Sequence, residues 1–392
     1  MTQAQALTFT NRTTSPFRYD IVGSFLRPAE LKAAREKFAN HEIDQAELKA
    51  VEDKCIKELV AKEAQAGLHA VTDGEFRRSY WHLDTFWGFE GIAHTKPAHG
   101  YRFHDEETRA DSAQVEGKIR FNGTHPDLEA FKYLKSLTDG TDLIPRQSIP
   151  APAQLYSELF RDDEHVAAIK KYYDSEDDKY YDSEDDLIKD VAAAYHDLIL
   201  ALYDAGCRDV KLDDCTWGLL VDEDYWATRS KEGADREKLE ATYLKINNAA
   251  LADLPADLTV TTHVCRGNYH STWAAKGGYG PVADYLFAKE DVAAFYLEYD
   301  SERAGGFEPL AKVPADKYVV LGLVTSKSGE LEERQAILDR IHEAAQYHDL
   351  DKLCLSPQCG FSSTEEGNIL TEEQQWAKLA LVKSVAEEAW GA

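Results

Sequence analysis

His263 and Cys265 stand two residues apart at the end of a β-branched run, Thr259-Val260-Thr261-Thr262, just before Arg266-Gly267-Asn268. In an extended strand, residues i and i+2 share a face, so an imidazole and a thiol are aimed at one point. Both are ligands for a borderline-soft divalent cation. A lone His-x-Cys pair arises often by chance; its weight here comes from other strand-like segments that end in suitable groups. Glu298 closes the run 295–298, and Cys359 follows the run 352–355 in Pro357-Gln358-Cys359-Gly360. One His, two Cys and one Glu make a tetrahedral set that zinc accepts and that disfavours magnesium or calcium. These ligands come from three separate strands, unlike the short loops of structural zinc knuckles, and the carboxylate could yield its place to an incoming group.

Other segments end in Ser24, in Asp73-Gly74-Glu75 and in Asp213-Asp214-Cys215. Each carboxylate has a plainer use: helix capping for Asp213 and Asp214, an ion pair with Arg77 or Arg78 for Glu75. Their convergence on one rim favours function. Cys55, Cys207 and Cys354 lie inside helical or strand patterns and are expected in the core.

The elements that must position these groups alternate regularly. Strand-like segments at 19–24, 69–72, 143–149, 209–212, 258–263, 295–298, 318–324 and 352–355 are separated by helical patterns. The helices begin at Pro28 and cover 47–65, 187–202, 236–252, 332–348 and 372–390. Eight strands alternating with helices predict an α/β fold, a (β/α)8 TIM barrel, in which functional side chains gather at the carboxyl ends of the strands. A doubly wound open sheet is the alternative, but no G-x-G-x-x-G follows a strand, so its dinucleotide-binding form has no support. Residues 79–130 carry Trp81, Phe86, Trp87 and Phe89 and then an alternating stretch at 114–121. They are expected to form a hairpin-bearing insertion after strand two, a lid whose aromatics chiefly pack its own core. The whole chain, 1–392, reads as a single barrel domain. Within it, Tyr172-Tyr173-Asp174-Ser175-Glu176-Asp177-Asp178 recurs at 180–186, an acidic duplication over 172–186 without the central glycine of a calcium loop.

Composition narrows the partners. A hydrophobic fraction of 43% with 11% aromatics fills a sizeable core, and the formal net charge of −27 repels nucleic acid and anionic membrane surfaces. No apolar run has the length of a membrane span, and the first residues lack a signal-peptide pattern. Six scattered cysteines in 392 residues fit a reducing cytoplasm rather than a disulfide framework.

The segments Val22-Gly23-Ser24-Phe25-Leu26-Arg27-Pro28, Thr72-Asp73-Gly74-Glu75, His263-Val264-Cys265 and Ser356-Pro357-Gln358-Cys359-Gly360 together resemble the cobalamin-independent methionine synthase family. The likeness is closest to its short, single-barrel branch and extends over nearly the whole chain. The resemblance implies a zinc-dependent barrel that moves a methyl group, in the family from 5-methyltetrahydrofolate, to the thiol of homocysteine, forming methionine. It implies His263, Cys265, Glu298 and Cys359 as zinc ligands, Glu75 and Asp213 as carboxylates that hold the substrate amino group, and Ser24 as the position meeting its carboxylate. Three departures stand out. The full-length family has a second, amino-terminal barrel for which this chain leaves no room. Lys327 occupies the place of the family's catalytic His, which helps deliver a proton to the departing folate. Asp213-Asp214-Cys215 lacks the family's Glu-Pro continuation. Alternatives are zinc-dependent alkyl transfer to another thiol, for example from an epoxide, and a zinc- or amino-acid-binding protein without turnover.

Overall fold

The computed structural model describes residues 9–173 and 184–391. The duplicated acidic stretch lies largely outside the described residues. Among the described residues, ten strands occur in chain order: β1 (Ala70–Val71), β2 (Glu90–Thr95), β3 (Ser112–Arg120), β4 (Ile144–Pro145), β5 (Gln147–Pro150), β6 (Asp209–Asp213), β7 (Thr259–Val264), β8 (Ala294–Glu298), β9 (Tyr318–Val324) and β10 (Leu353–Pro357). Six of them form one all-parallel sheet in the order β10-β9-β8-β7-β6-β5, and β1 pairs in parallel with β4. The fold is therefore α/β. Strands β5 to β10 are buried on nearly every residue, as expected for a parallel sheet shielded from water on both faces.

Register sets the site. Asp213 lies opposite His263, Val264 opposite Leu297, and Glu298 opposite Gly322, so the carboxyl ends of β6, β7 and β8 finish along one edge. The run predicted at 143–149 appears in two pieces because its halves bond to different neighbours. β4 ladders to β1, β5 ladders to β6, and Arg146 between them donates its N–H to the Val71 carbonyl at 2.8 Å. The strand predicted at 19–24 reduces to a parallel bridge between Tyr19 and Leu355. There the Asp20 carboxylate takes the Phe17 and Ile21 N–H groups that a ladder would use. The same segment still reaches the far neighbour: Thr72 Oγ1 donates to Gly23 O at 2.6 Å, and Phe25 N–H to Gly74 O at 3.1 Å. After β1, the chain runs through the antiparallel pair β2–β3 before returning to β4.

Helix limits follow their caps. The helix expected at 47–65 spans Gln45–Ala66, because Asp44 and Glu47 form a reciprocal capping box at its start. Thr371 and Gln374 do the same for Glu372–Trp390, which matches the expected limits. The helix expected at 332–348 contracts to Arg334–Ala344. Its first residue is recruited elsewhere: Glu332 accepts from Thr325 N–H and from the buried Lys378 ammonium.

At the amino ends of the strands a buried ionic cluster fills the interior. The Arg146 guanidinium binds Asp20 at 2.7 Å, Asp209 at 2.9 Å and the Tyr296 hydroxyl at 3.1 Å, all inaccessible to water. Removing one partner would leave buried charge uncompensated. Arg146→Ala is expected to lower unfolding free energy by about 3–5 kcal/mol, read as an earlier urea midpoint; a midpoint within error of the parent would refute it.

Candidate active site

The carboxyl edge of the sheet closes on a cavity of about 320 Å³. His263, Cys265 and Cys359 meet there, each buried, with their ligand atoms all within 4.8 Å of one another. The His263 ring is oriented by β8: its Nδ1 lies 3.2 Å from the Tyr296 carbonyl, which can only accept, so Nδ1 carries the hydrogen. Nε2 is then a bare lone pair, buried with no hydrogen-bond partner. A buried nitrogen without a partner is unfavourable unless something binds it, and the sulfur atoms beside it suit a soft divalent ion. The thiols tell the same story. Cys265 is pushed well up by the neighbouring Cys215 and by burial, and Cys359 by Cys265 and by burial. Clustered sulfurs cannot ionise together without positive charge among them. The donor set thus fits zinc.

Cys359 reaches the group through a tight loop after β10. A Cβ on Gly360 would sit 1.9 Å from Ser24 Oγ, so only glycine lets the loop close against Ser24. Ser24 Oγ accepts the Ser362 N–H at 3.2 Å, which leaves its own hydrogen to donate into the cavity it lines.

Glu298, predicted as the fourth ligand, stands outside the group of three. Its Oε2 accepts the Arg266 N–H at 2.6 Å, and its Oε1 is bound by the Arg303 guanidinium and lies 3.5 Å from Lys327 Nζ. Burial would raise this carboxyl, but Lys327, Arg266 and Arg303 outweigh burial and hold it at about 2. Lys327 is correspondingly committed. Its ammonium sits 3.4 Å from Asp300, and although burial opposes the charge, Glu298 and Asp300 raise it above an ordinary lysine. A cation held that firmly is a poor proton donor near neutral pH. It anchors Glu298 instead.

Glu75 and Asp213 both line the cavity, each with one buried carboxylate oxygen lacking a hydrogen-bond partner, Oε2 and Oδ1. Glu75 takes a left-handed backbone, φ 60°, held by the Asp73 carboxylate on its N–H at 2.9 Å. Burial pushes Glu75 up to about 7, with Asp213 adding to the shift and Arg78, 3.8 Å away, opposing it. Asp213 rises to about 6 through burial, against Lys211, Arg78 and Arg146. Two acids so poised would ionise fully beside an incoming cation.

Over the cavity lie Tyr80, Trp81, His82, Tyr101, Phe103 and Tyr269. Phe86 and Phe89 are buried in the main core, whereas Trp81 lines the cavity with its ring tilted against His82 at 4.6 Å between centroids. His82 is held neutral, lowered to about 3 by burial and by Arg161 and Arg78. Its place in the cavity wall was not legible in sequence, where His82 is one more residue in an aromatic stretch. Cys215 was noted only as part of a strand end, yet its Sγ lies 3.5 Å from Cys265 Sγ.

Residues 173–387 match the model of the cobalamin-independent synthase catalytic domain. The chain belongs to the cobalamin-independent methionine synthase family. A protein of Bacillus subtilis, YxjH, described as uncharacterised, is 44% identical over 96% of this chain and 95% of its own length. A candidate vitamin-B12-independent methionine synthase from Listeria monocytogenes has a crystal structure that superposes with TM-score 0.74 at 37% identity, covering 96% of this chain and 99% of that one. A B12-independent methionine synthase from Shewanella sp. W3-18-1, solved with selenomethionine, shares the fold at TM-score 0.67 and 17% identity over 95% of this chain and 97% of that one. Among the described residues, no helix is long and apolar enough to cross a membrane. Within this synthase family site, equilibrium dialysis should give one zinc or cadmium ion per chain. Cys265→Ser or Cys359→Ser should weaken binding by about 100-fold or more; unchanged affinity in both would rule out the trio as a metal centre.

Proposed function

We propose that the chain transfers a methyl group to the sulfur of homocysteine, using zinc held by His263, Cys265 and Cys359. The carrying observation is the partnerless Nε2 of His263 amid two thiols, opening on the same cavity as two carboxylate oxygens without hydrogen bonds. Bound there, zinc would supply the charge that keeps a substrate sulfur as thiolate at neutral pH, where a free thiol of pKa about 8.5 is mostly protonated.

The protein groups divide the rest of the work. Glu75 and Asp213 hold the ammonium of the amino acid, and its arrival draws their protons off. Ser24 donates its hydroxyl hydrogen to the substrate carboxylate. Trp81, Tyr101 and Phe103 form an apolar wall suited to a flat, heteroaromatic methyl donor, for which 5-methyltetrahydrofolate is the family's choice. A new sulfur–carbon bond forms as the methyl–nitrogen bond breaks; the pair stays on nitrogen, which then takes a proton from a group other than Lys327. Two buried carboxylates facing the cavity favour this reading over transfer to a thiol lacking an amino group. We further read the parallel pairings, from Tyr19–Leu355 round to β1–β4, as one closed (β/α)8 barrel in a single domain, with residues 79–130 inserted as a lid.

The deciding experiment incubates zinc-loaded protein with homocysteine and a panel of methyl donors and reads products by mass. Methionine is the expected product, and its absence with every donor tried would overturn the proposal. Asp213→Asn should raise the homocysteine KM by about 10- to 100-fold, the equivalent of a lost charged hydrogen bond, with zinc content unchanged. The pH dependence has a definite sign. Glu75 and Asp213 bind the ammonium only when ionised, so homocysteine affinity should be highest above pH 7 and fall as protons return through about 7 and about 6. Affinity flat or rising over that descent would contradict the ammonium clamp.

A further inference from the structure

Behind the aromatic wall, away from the sulfur cluster, a line of hydrogen bonds joins the cavity to the surface. Tyr101 lines the cavity, and its hydroxyl donates to Glu158 Oε1 at 2.8 Å. The Ser112 hydroxyl donates to that same oxygen, and Ser112 Oγ lies 2.7 Å from His165 Nε2. His165 Nδ1 in turn lies 2.7 Å from Asp162 Oδ1. Glu158, Ser112 and His165 are buried, whereas Asp162 keeps 40% of its side-chain surface in water. Three elements hold the line in place. Asp162 accepts the His165 N–H at 3.0 Å just before the helix Asp163–Tyr173, Glu158 sits in the last turn of the helix Pro152–Leu159, and Ser112 begins β3.

The hydrogens along this line can be counted. Ser112 has one and gives it to Glu158, which as a carboxylate can only accept. His165 Nδ1 must carry a hydrogen to meet Asp162, another acceptor. The contact between His165 Nε2 and Ser112 Oγ then has a hydrogen only if Nε2 carries one too. Swinging the Ser112 hydrogen over to His165 would put the same proton on Glu158. In either arrangement the group stores one proton more than a neutral imidazole and a carboxylate would. Asp162 beside the ring, and the Arg161 guanidinium 3.6 Å from Glu158, place that proton on His165 at rest. The order Ser-His-Asp is that of a hydrolytic triad, but Ser112 is fully buried and held by Glu158, so no acyl group can reach it.

Resting on the methyl-transfer reading above, we propose that this line supplies the proton for the departing nitrogen of the methyl donor, with Tyr101 as the catalytic residue that hands it over. As the methyl–nitrogen bond breaks and its electron pair stays on nitrogen, the Tyr101 hydroxyl turns from Glu158 to the cavity and gives up its hydrogen. Its oxygen takes one from Glu158, Glu158 takes one from Ser112, and Ser112 takes one from His165 Nε2. His165 is left neutral and regains its proton from solvent by way of Asp162. One proton crosses, and Tyr101 ends as it began. By itself Tyr101 is no acid: burial and Glu158 raise its phenol well above the ordinary value, against Arg161, whose guanidinium lies 4.1 Å over the ring. The imidazolium at the far end supplies the acidity.

The test compares two donors on the zinc-loaded full chain with homocysteine. One is 5-methyltetrahydrofolate, whose nitrogen must be protonated; the other is methyl iodide, whose iodide leaves without a proton. The ratio of folate kcat to the methyl iodide rate should fall by about 100-fold in both Tyr101→Phe and His165→Gln, the scale of a lost general acid. A packing role would lower both rates together, so a ratio unchanged in either variant would overturn the relay. Independently of turnover, the ¹⁵N spectrum of histidine-labelled parent should contain a ring protonated on both nitrogens that is missing from His165→Gln; a parent without one would overturn the stored proton. If the parent accepts methyl iodide alone, there is no nitrogen to protonate, and the relay falls while the thiol chemistry stands. Transfer from neither donor would overturn the methyl-transfer reading, and this inference with it.

Discussion

The hydrogen bond from His263 Nδ1 to the Tyr296 carbonyl is where the sheet and the site become one object. It spends the backbone acceptor of a neighbouring strand on a side chain, and in doing so fixes which ring nitrogen is bare and where it points. That bond exists only because β7 and β8 are in register, with His263 directly opposite Tyr296. Slide the pairing by one residue and the imidazole turns to the other face of the sheet, away from both thiols. The remaining features of the site are arranged around the nitrogen so exposed.

A second constraint is electrostatic. The chain carries a large negative excess, yet its interior acids are treated in three distinct ways. Asp20 and Asp209 are neutralised by Arg146 at the amino ends of the strands. Glu298 is neutralised by Arg303 and Lys327 beside the candidate metal centre. Glu75 and Asp213 are left short of partners and drift toward the neutral form. Burial is common to all of them; only the last pair retains an unmet demand for a cation, and it is the pair that lines the cavity. Stability thus resides at one end of the strands and binding potential at the other, a division typical of parallel α/β architectures.

Much of this was legible in the chain. The helix at Glu372–Trp390 and the strand at Tyr318–Val324 were readable to the residue, because a capping pair and a short apolar run without a charged residue leave little competition. His263, Cys265 and Cys359 were readable as a group, since strand period and loop position aim them alike. Glu298 was readable as a strand-end carboxylate, but its partners were not: Arg266 lies in the loop after β7 and Arg303 in the loop after β8 itself, and both reach its oxygens only in the folded state. Lys327 was placed only by its position in the resemblance, whereas its charge is held by Glu298 and Asp300, which are distant along the chain. Cys215 went unassigned because its contact with Cys265 depends on a missing Cβ at Gly218, three residues further on.

What the sequence by itself determined is therefore local and periodic: which residues form strands, which face each side chain takes, and which donor types gather at the strand ends. Those properties depend on neighbours two to four positions away, and they are written in side-chain type and spacing. The tertiary structure alone decided which groups are already spoken for. A carboxylate, an ammonium or a thiol acquires its charge state and its freedom from partners brought in across the sheet and through the loops, and partnership at that range has no signature in the order of residues.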